Sequence, residues 1–428
     1  MILFDSNTYI WVTLIFFLTL GFSLENRFSE ERKGFPFLTF CILTFYHDFI
    51  FMNAGYYFDI DNIIISSSWK EIVLIFVSTL FIVKGKYRNI DNTSLSVIFF
   101  SLFFVITGVS SSIFISNASL VDAVLIGKKY IYPFLFICAL SIIPDTKINI
   151  RKSCNLFFSL VVFPSFVFSL WELYNVEELS DLWYYNSFMR AGYDMAHYNH
   201  FRDGAVRVNG FFIGTLAYSA TAFCSFIIFF ILRKERYSYL KMATSLIMLE
   251  LSQTRTFFIG IAFFILLYCL QKLFYKRKPK LSSVFISILL AFISILVLLP
   301  LVTNEYSALG RIVQWQKALE VVINNPFGFG FAGLGETGDN RADSQIIDMI
   351  RIYGFFSFVL LLGLIKLVVT YWKKMRLLPY SDQNLVPILA ILSYVFVLFF
   401  QSLMDVAVFY LLLLLLFKLR LDFERYSV

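Results

Sequence analysis

The chain has 428 residues, of which 59% are hydrophobic and 15% charged, and its formal net charge is +7. A soluble protein has about a quarter of its residues charged and cannot bury so much apolar surface. This composition excludes a soluble domain and predicts an all-α polytopic membrane protein, because helices satisfy their own backbone hydrogen bonds in lipid. In such a chain the basic excess reports the orientation of loops and not a nucleic-acid partner.

Apolar segments of spanning length predict about thirteen transmembrane helices, or about twelve because the eighth and last segments are short. The segments are approximately 8–24, 35–52, 68–84, 94–114, 123–143, 153–173, 208–232, 238–251, 256–271, 281–301, 346–371, 385–402 and 404–418. The first segment is long enough to span and has no basic leader, so we expect no cleavable signal peptide.

Basic segments alternate with connections that nearly lack Lys and Arg. The basic ones are ENRFSEERKG, KGKYRN, TKINIRK, RKER, KLFYKRKPK, WKKMR and FKLRLDFERY. By the positive-inside rule they are cytoplasmic, which predicts an outer N-terminus and a cytoplasmic C-terminus. Two connections are long, 175–207 and 302–345, and both fall on the outer side. We expect one membrane domain, residues 1–428, with its function in these two loops.

The cysteines lie in or beside apolar segments, and no two have CxxC spacing. They are Cys41, Cys138, Cys154, Cys224 and Cys269. We expect buried thiols that act as small hydrophobic side chains.

The second long loop contains GFGFAG, Gly328 to Gly333, which fits the pattern G-x-G-x-x-G. A dinucleotide site needs this pattern between a strand and a soluble helix, whereas here a membrane segment follows on the outer side. We expect the glycines to let the loop fold back on the membrane face and bring backbone N–H groups near an anionic ligand; a flexible connection is the alternative. The preceding stretch 312–323 has apolar residues at helical spacing and predicts a short interfacial helix.

Several stretches together resemble one family. Gly310-Arg311 followed by Trp315, then PFGFGFAG, then DSQII, with Gly354 eleven positions after Asp343, resembles the signature loop of the O-antigen polymerase/ligase superfamily. RVNGFF (207–212) and SQTRTFF (252–258) fit the same family pattern. The resemblance covers about residues 100–400. It implies a GT-C-type glycosyltransferase of the bacterial inner membrane that uses undecaprenyl-pyrophosphate-linked sugars at its periplasmic loops.

One departure from the family pattern bears on the choice within the superfamily. Its ligases typically carry His-Asn where this chain has Asp343-Ser344. The resemblance therefore favours a polymerase of O-antigen repeat units, and the ligase that joins polymer to lipid A core is the alternative. The implied partners are lipid-linked oligosaccharides in the membrane, with a flippase and a chain-length regulator of the same pathway.

The implied reaction moves a glycan from its lipid pyrophosphate to a hydroxyl of the next repeat unit, with no cofactor. Guanidinium groups suit the departing pyrophosphate, because they stay charged and fork onto phosphate oxygens. Candidate pyrophosphate-binding residues near outer span ends are Arg207, Arg255, Arg311, Lys128 and Lys129. The alternative is that these cations end helices in water.

The candidate catalytic residues are Asp343, Arg311 and Glu336. Asp343 occupies the place of the ligase histidine and is the first candidate for the base that takes the hydroxyl proton. Glu336 and Asp339 are alternatives for that base. Asp343 could instead orient the acceptor or be an ordinary loop charge.

The first long loop mixes aromatic side chains with acids, which suits sugar binding. The candidates are Trp183, Tyr184, Tyr198 and His197. An interfacial aromatic belt explains the same aromatic residues. His197 and His200 stand in HYNH, but a zinc site would need a third ligand, so no metal site is predicted.

A flippase or secondary transporter is the candidate from another class. Transporters usually bury polar residues near the bilayer midplane. Here the charges in or beside spans gather toward the outer ends, which favours chemistry at one face. They are Lys128, Lys129, Glu172, Glu250, Arg255, Asp348, Arg351 and Asp405.

Overall fold

The computed structural model describes residues 6–24, 35–57, 63–84, 92–142, 150–179, 201–202, 205–212, 214–274, 316–317, 320, 323–334, 344–359, 362–363, 389–390, 392–394 and 396–398. These residues are almost entirely helical, which confirms the predicted all-α class. Two helices in this part of the chain, Lys152–Tyr174 and Arg255–Lys272, are long and apolar enough to cross a membrane. A bent pair, Phe35–Phe45 with His47–Ala54, makes a third if it is one span.

Apart from α9, the described helices lie on or beside the predicted apolar segments, in the same order. They are α1 Ser6–Leu24, α2 Phe35–Phe45, α3 His47–Tyr57, α4 Ile63–Val83, α5 Asn92–Phe114, α6 Leu120–Ile142, α7 Ile150–Phe157, α8 Phe163–Tyr174, α9 Val176–Leu179, α10 Thr215–Ile231, α11 Ser238–Ser252, α12 Arg255–Phe274 and α13 Gln345–Tyr353. A π-helical turn, Phe158–Val162, joins α7 to α8, and Phe331–Leu334 forms a 3₁₀ turn. Two short strands, β1 Phe201–Arg202 and β2 Ala205–Val206, pair antiparallel.

Several helices have different bounds from those the apolar pattern predicts, and two of these differences bear on the candidate sites. The segment 208–232 is helical only from Thr215, because a turn at Asn209-Gly210 precedes it. Helix α13 ends at Tyr353, although the apolar segment was predicted to continue to 371. Gly354 turns the chain there with a φ of +55°, which a residue with a Cβ atom rarely adopts.

The described residues form two compact units. The first holds those within 6–101 and 132–254, and the second holds those within 102–131 and 255–398. Helices α5 and α6 contribute residues to both.

In the first unit, α10 packs along α11 and α1 along α4. Most side chains of α10 between Ala217 and Ser225 are small, and all are buried, which lets the backbone of α11 approach closely. The hydroxyl of Ser245 on α11 donates a 2.9 Å hydrogen bond to that of Ser225. This pair of helices leads from the turn after Arg207 to the end of α11 at Ser252, so it fixes the spacing of those two points.

In the second unit, the loop before α13 packs on α5 and α6. Tyr353 at the end of α13 lies edge-on to Phe104 of α5, with ring centroids 5.1 Å apart. Phe263 of α12 stacks on Phe396 at 4.2 Å. In lipid the hydrophobic effect does not hold helices together, so van der Waals packing of this kind stabilises their association instead.

Candidate functional site

The first candidate site is the RVNGFF segment, residues 207–212, in the first unit. The N–H of Val208 donates to the carbonyl of Leu251 at 3.2 Å. Nε of Arg207 donates to the carbonyl of Ser252 at 3.4 Å, and Nη2 donates to Oγ1 of Thr215 at 2.8 Å. The half-buried guanidinium is therefore held between the end of α11 and the start of α10.

A buried carboxylate holds the next two residues of this segment. Glu172, near the end of α8, is 1% exposed. Its carboxylate accepts hydrogen bonds from the N–H of Asn209 at 2.9 Å and of Gly210 at 2.8 Å. Charge-assisted bonds of this kind are stronger than neutral ones, so the turn is fastened to α8. Sequence analysis noted Glu172 only as a charge beside a span.

The turn itself requires glycine at position 210. Gly210 has a φ of +58°, and a Cβ atom there would overlap Oγ of Ser165 and crowd the ring of Tyr218. The following side chain, Phe211, is buried against the rings of Phe49 and Phe168, with centroids 4.8 and 5.2 Å away. The segment therefore has a polar anchor at Glu172 and an aromatic anchor at Phe211.

The second candidate site is the glycine loop, residues 326–333, in the second unit. The N–H of Phe329 donates to the carbonyl of Arg351 at 2.9 Å, and that of Gly330 donates to Ile352 at 3.0 Å. The N–H of Phe355 returns a 2.7 Å bond to Pro326. The loop therefore pairs through its backbone with the last turn of α13 and with the residue after Gly354.

Serines at the end of α5 and just after it fix the other side of the loop. Ser116 donates its hydroxyl to the carbonyl of Phe329 at 2.6 Å, and Ser111 donates to Phe327 at 3.3 Å. Oγ of Ser112 accepts the N–H of Ala332 at 3.1 Å.

These bonds correct one expectation about the loop. Four of its backbone N–H groups already donate within the protein: those of Gly328, Phe329, Gly330 and Ala332. The expectation that the glycines present backbone N–H groups to an anion is wrong for these four. The glycines instead permit close backbone contact.

One aromatic side chain locks the glycine loop to the helices. Phe331 is fully buried, and a Cβ atom on either Gly108 of α5 or Gly127 of α6 would overlap its ring. The ring stacks on Tyr130 at 5.8 Å and meets Tyr353 edge-on at 6.1 Å. The glycines of α5 and α6 thus form a slot for Phe331.

The other candidates fall in different places. Arg255 is the exposed first residue of α12, and Lys128 and Lys129 lie in α6 between Gly127 and Tyr130. Within the predicted interfacial helix 312–323, the described residues Gln316, Lys317, Glu320 and Ile323 are helical and exposed. Outside the described residues lie Arg311, Glu336, Asp339, Asp343, Trp183, Tyr184, His197 and Tyr198.

A buried lysine in α4 was not among the residues that the sequence pattern indicated. Lys70 of α4 is 8% exposed, and its Nζ lies 5.9 Å from the ring centroid of Tyr132. Beside it, Nε1 of Trp69 donates a 2.9 Å bond to Nδ1 of His47. Ionisable side chains within membrane helices usually face protein, which matches this position. The signal was the triplet WKE inside the apolar segment 68–84.

Among the residues that the structure describes, no group of three or more His, Cys, Asp or Glu side chains could hold a metal ion. Comparison with protein families, curated proteins and solved structures finds no match for the chain.

Proposed function

We propose that this protein polymerises undecaprenyl-pyrophosphate-linked oligosaccharide repeat units at the periplasmic face of a bacterial inner membrane. It would do so as a bundle of about twelve or thirteen transmembrane helices of GT-C type, with residues 175–207 and 302–345 as periplasmic loops. The helical class and the apolar helices of the described residues support the membrane part of this proposal.

One observation carries the proposal: two stretches that resemble family motifs meet each other, and a third packs on the helix that a fourth begins. RVNGFF contacts the beginning of SQTRTFF, through Arg207 and the carbonyl of Ser252. PFGFGFAG contacts the segment that follows DSQII, through Phe329 and Gly330 on the end of α13. Residues that act in one reaction are expected to lie close together in the fold, even when they are far apart in sequence.

The proposed reaction forms one glycosidic bond and breaks another bond. The acceptor hydroxyl oxygen bonds to the anomeric carbon of the donor glycan as the bond from that carbon to the pyrophosphate oxygen breaks. The bonding electrons leave with undecaprenyl pyrophosphate, and the hydroxyl proton passes to the candidate base, Asp343. Arg207, Arg255 and Arg311, with Lys128 and Lys129, are the candidates to stabilise the leaving charge.

The direct test is deletion of the gene in its host and return of single variants. A polymerase deletion leaves lipopolysaccharide with one repeat unit, and the wild-type gene restores long chains. Arg207→Lys keeps the positive charge but loses the two-pronged guanidinium group that bonds phosphate oxygens. We therefore expect the catalytic rate to fall about tenfold and the glycan chains to be shorter. The matched control is Arg236→Lys, at an exposed arginine of the turn between α10 and α11.

The deletion also separates the alternatives. Full-length polymer accumulating on undecaprenyl lipid would identify a ligase. Single repeat units retained at the cytoplasmic face would identify a flippase. Either result contradicts the polymerase proposal.

A further inference from the structure

We propose that Glu172 is the positioning residue for Arg207, acting through the turn at Asn209-Gly210. The inference rests on the proposed function, in which Arg207 binds the pyrophosphate group. It assigns to a buried carboxylate a task that the reaction scheme above does not include.

The geometry supports a mechanical role for Glu172. The carboxylate bonds the N–H groups of the residues two and three positions after Arg207, at 2.9 and 2.8 Å. On the other side of Arg207, the described chain is the two-residue strand pair that ends at Val206. The backbone that follows Arg207 is fixed at two places, at Val208 by the carbonyl of Leu251 and at the Asn209-Gly210 turn by Glu172.

The Glu172 carboxylate is suited to positioning the turn, and it is too deeply buried to contact a substrate. Glu172 is 1% exposed, so a lipid pyrophosphate cannot reach it without unfolding the turn. A carboxylate is an acceptor at both oxygens, whereas a glutamine side chain has one acceptor oxygen and an amide that only donates. Oε2 of Glu172 accepts from both Asn209 and Gly210, and Oε1 accepts a further 3.1 Å bond from Asn209. Glu172→Gln keeps the volume, but its NH2 group takes one of these two oxygen positions and then lies opposite at least one backbone N–H that it cannot accept from.

The contacts of Arg207 show why the orientation of its guanidinium group depends on the turn. Its Nε and Nη2 donate to Ser252 and Thr215, on two different helices. A shift of the turn by about 1 Å would break these bonds, and misplacement of this size can cost about a hundredfold in rate.

The experiment measures binding of undecaprenyl pyrophosphate to the full-length protein in nanodiscs. We expect Glu172→Gln to weaken binding about tenfold in the wild-type background and less than about twofold in the Arg207→Ala background. The melting temperature should fall in both backgrounds. If the Arg207→Ala protein binds undecaprenyl pyrophosphate no more tightly than it binds undecaprenol, the comparison is made in the Arg207→Lys background instead.

The chain provides a matched control for the loss of charge. Glu250 also stands two residues before the end of its helix, α11, but is exposed. Glu250→Gln should leave binding and melting temperature unchanged. Equal weakening by Glu172→Gln in both backgrounds, or none in the wild type, overturns the inference. Failure of the wild-type protein to bind or to polymerise overturns the proposed function instead, so the two failures are distinguishable.

Discussion

The hydroxyl of Tyr46 donates a hydrogen bond to the carbonyl of Leu160. In an α-helix that carbonyl would accept the N–H of residue 164, which is a proline and has none. The chain passes this point as a π-helical turn, Phe158–Val162, directly before α8. Tyr46 stands at the break between α2 and α3, whose axes differ by 57°. Two irregular points in different spans thus stabilise each other.

The first prediction follows from this bond. Tyr46→Phe keeps the ring but leaves the Leu160 carbonyl with one fewer donor. We expect a loss of about 0.5–1.5 kcal/mol in the free energy of unfolding, measured by SDS titration in mixed micelles. Tyr239→Phe, at a tyrosine that is 70% exposed, is the control and should change little. Equal stability of the two variants would mean that the Tyr46 hydroxyl contributes nothing.

The second prediction concerns the glycine slot for Phe331. Gly127→Ala places a methyl group where the Phe331 ring lies, and the ring is fully buried and cannot turn away. We expect overpacking to cost about 1–3 kcal/mol. Gly21→Ala in α1 is the control, because a Cβ atom there meets only Pro36, at ordinary contact distances of 3.6 and 3.8 Å. The measurement is the same SDS titration, and a Gly127→Ala protein as stable as the control would contradict the slot.

The third prediction removes the ring instead of filling the slot. Phe331→Ala should leave a cavity between α5 and α6 and cost about 3–5 kcal/mol. Phe327→Ala, in the same loop at a side chain 60% exposed, should cost less than about 1 kcal/mol. Limited proteolysis provides a second readout, since a released loop is cut faster. If both variants resist protease equally, the loop does not depend on Phe331.

The fourth prediction concerns the orientation of the chain. In a background where Cys269, the exposed cysteine among the described residues, is serine, a membrane-impermeant maleimide should label Tyr174→Cys in spheroplasts. Tyr174 ends α8 on the predicted outer side and is 89% exposed. Lys234→Cys, exposed in the turn between α10 and α11, should react only after the cells are broken. The reverse labelling would invert the proposed topology and place both candidate sites in the cytoplasm.

The helical class and several helix bounds could be predicted because spanning apolar segments end where polar residues begin. The predicted segments 94–114 and 238–251 correspond to α5, Asn92–Phe114, and α11, Ser238–Ser252. The start of α10 and the end of α13 could not be predicted, because the apolar pattern continues through both. Those bounds depend on partners elsewhere in the chain, namely Glu172 and the glycine loop.

For the candidate sites, the sequence indicated Arg207 but not what holds it. Hydropathy counts Glu172 as one more charge near a span, and only the fold reveals that its oxygens face two backbone N–H groups. Likewise, Gly108 and Phe331 are separated by more than 200 residues, so no local pattern could pair them. The roles of Asp343, Arg311 and Glu336 stay predictions, because these residues lie outside the described part of the chain.

The contact between the glycine loop and α13 has an electrostatic consequence. Nucleotide-binding loops with the same spacing of glycines precede a helix and face its positive pole, where phosphate is attracted. In this protein Phe329 and Gly330 instead meet the carbonyls of Arg351 and Ile352, at the negative pole of the helix. The same glycine spacing therefore lies at the opposite end of a helix, where the helix dipole provides no attraction for a diphosphate.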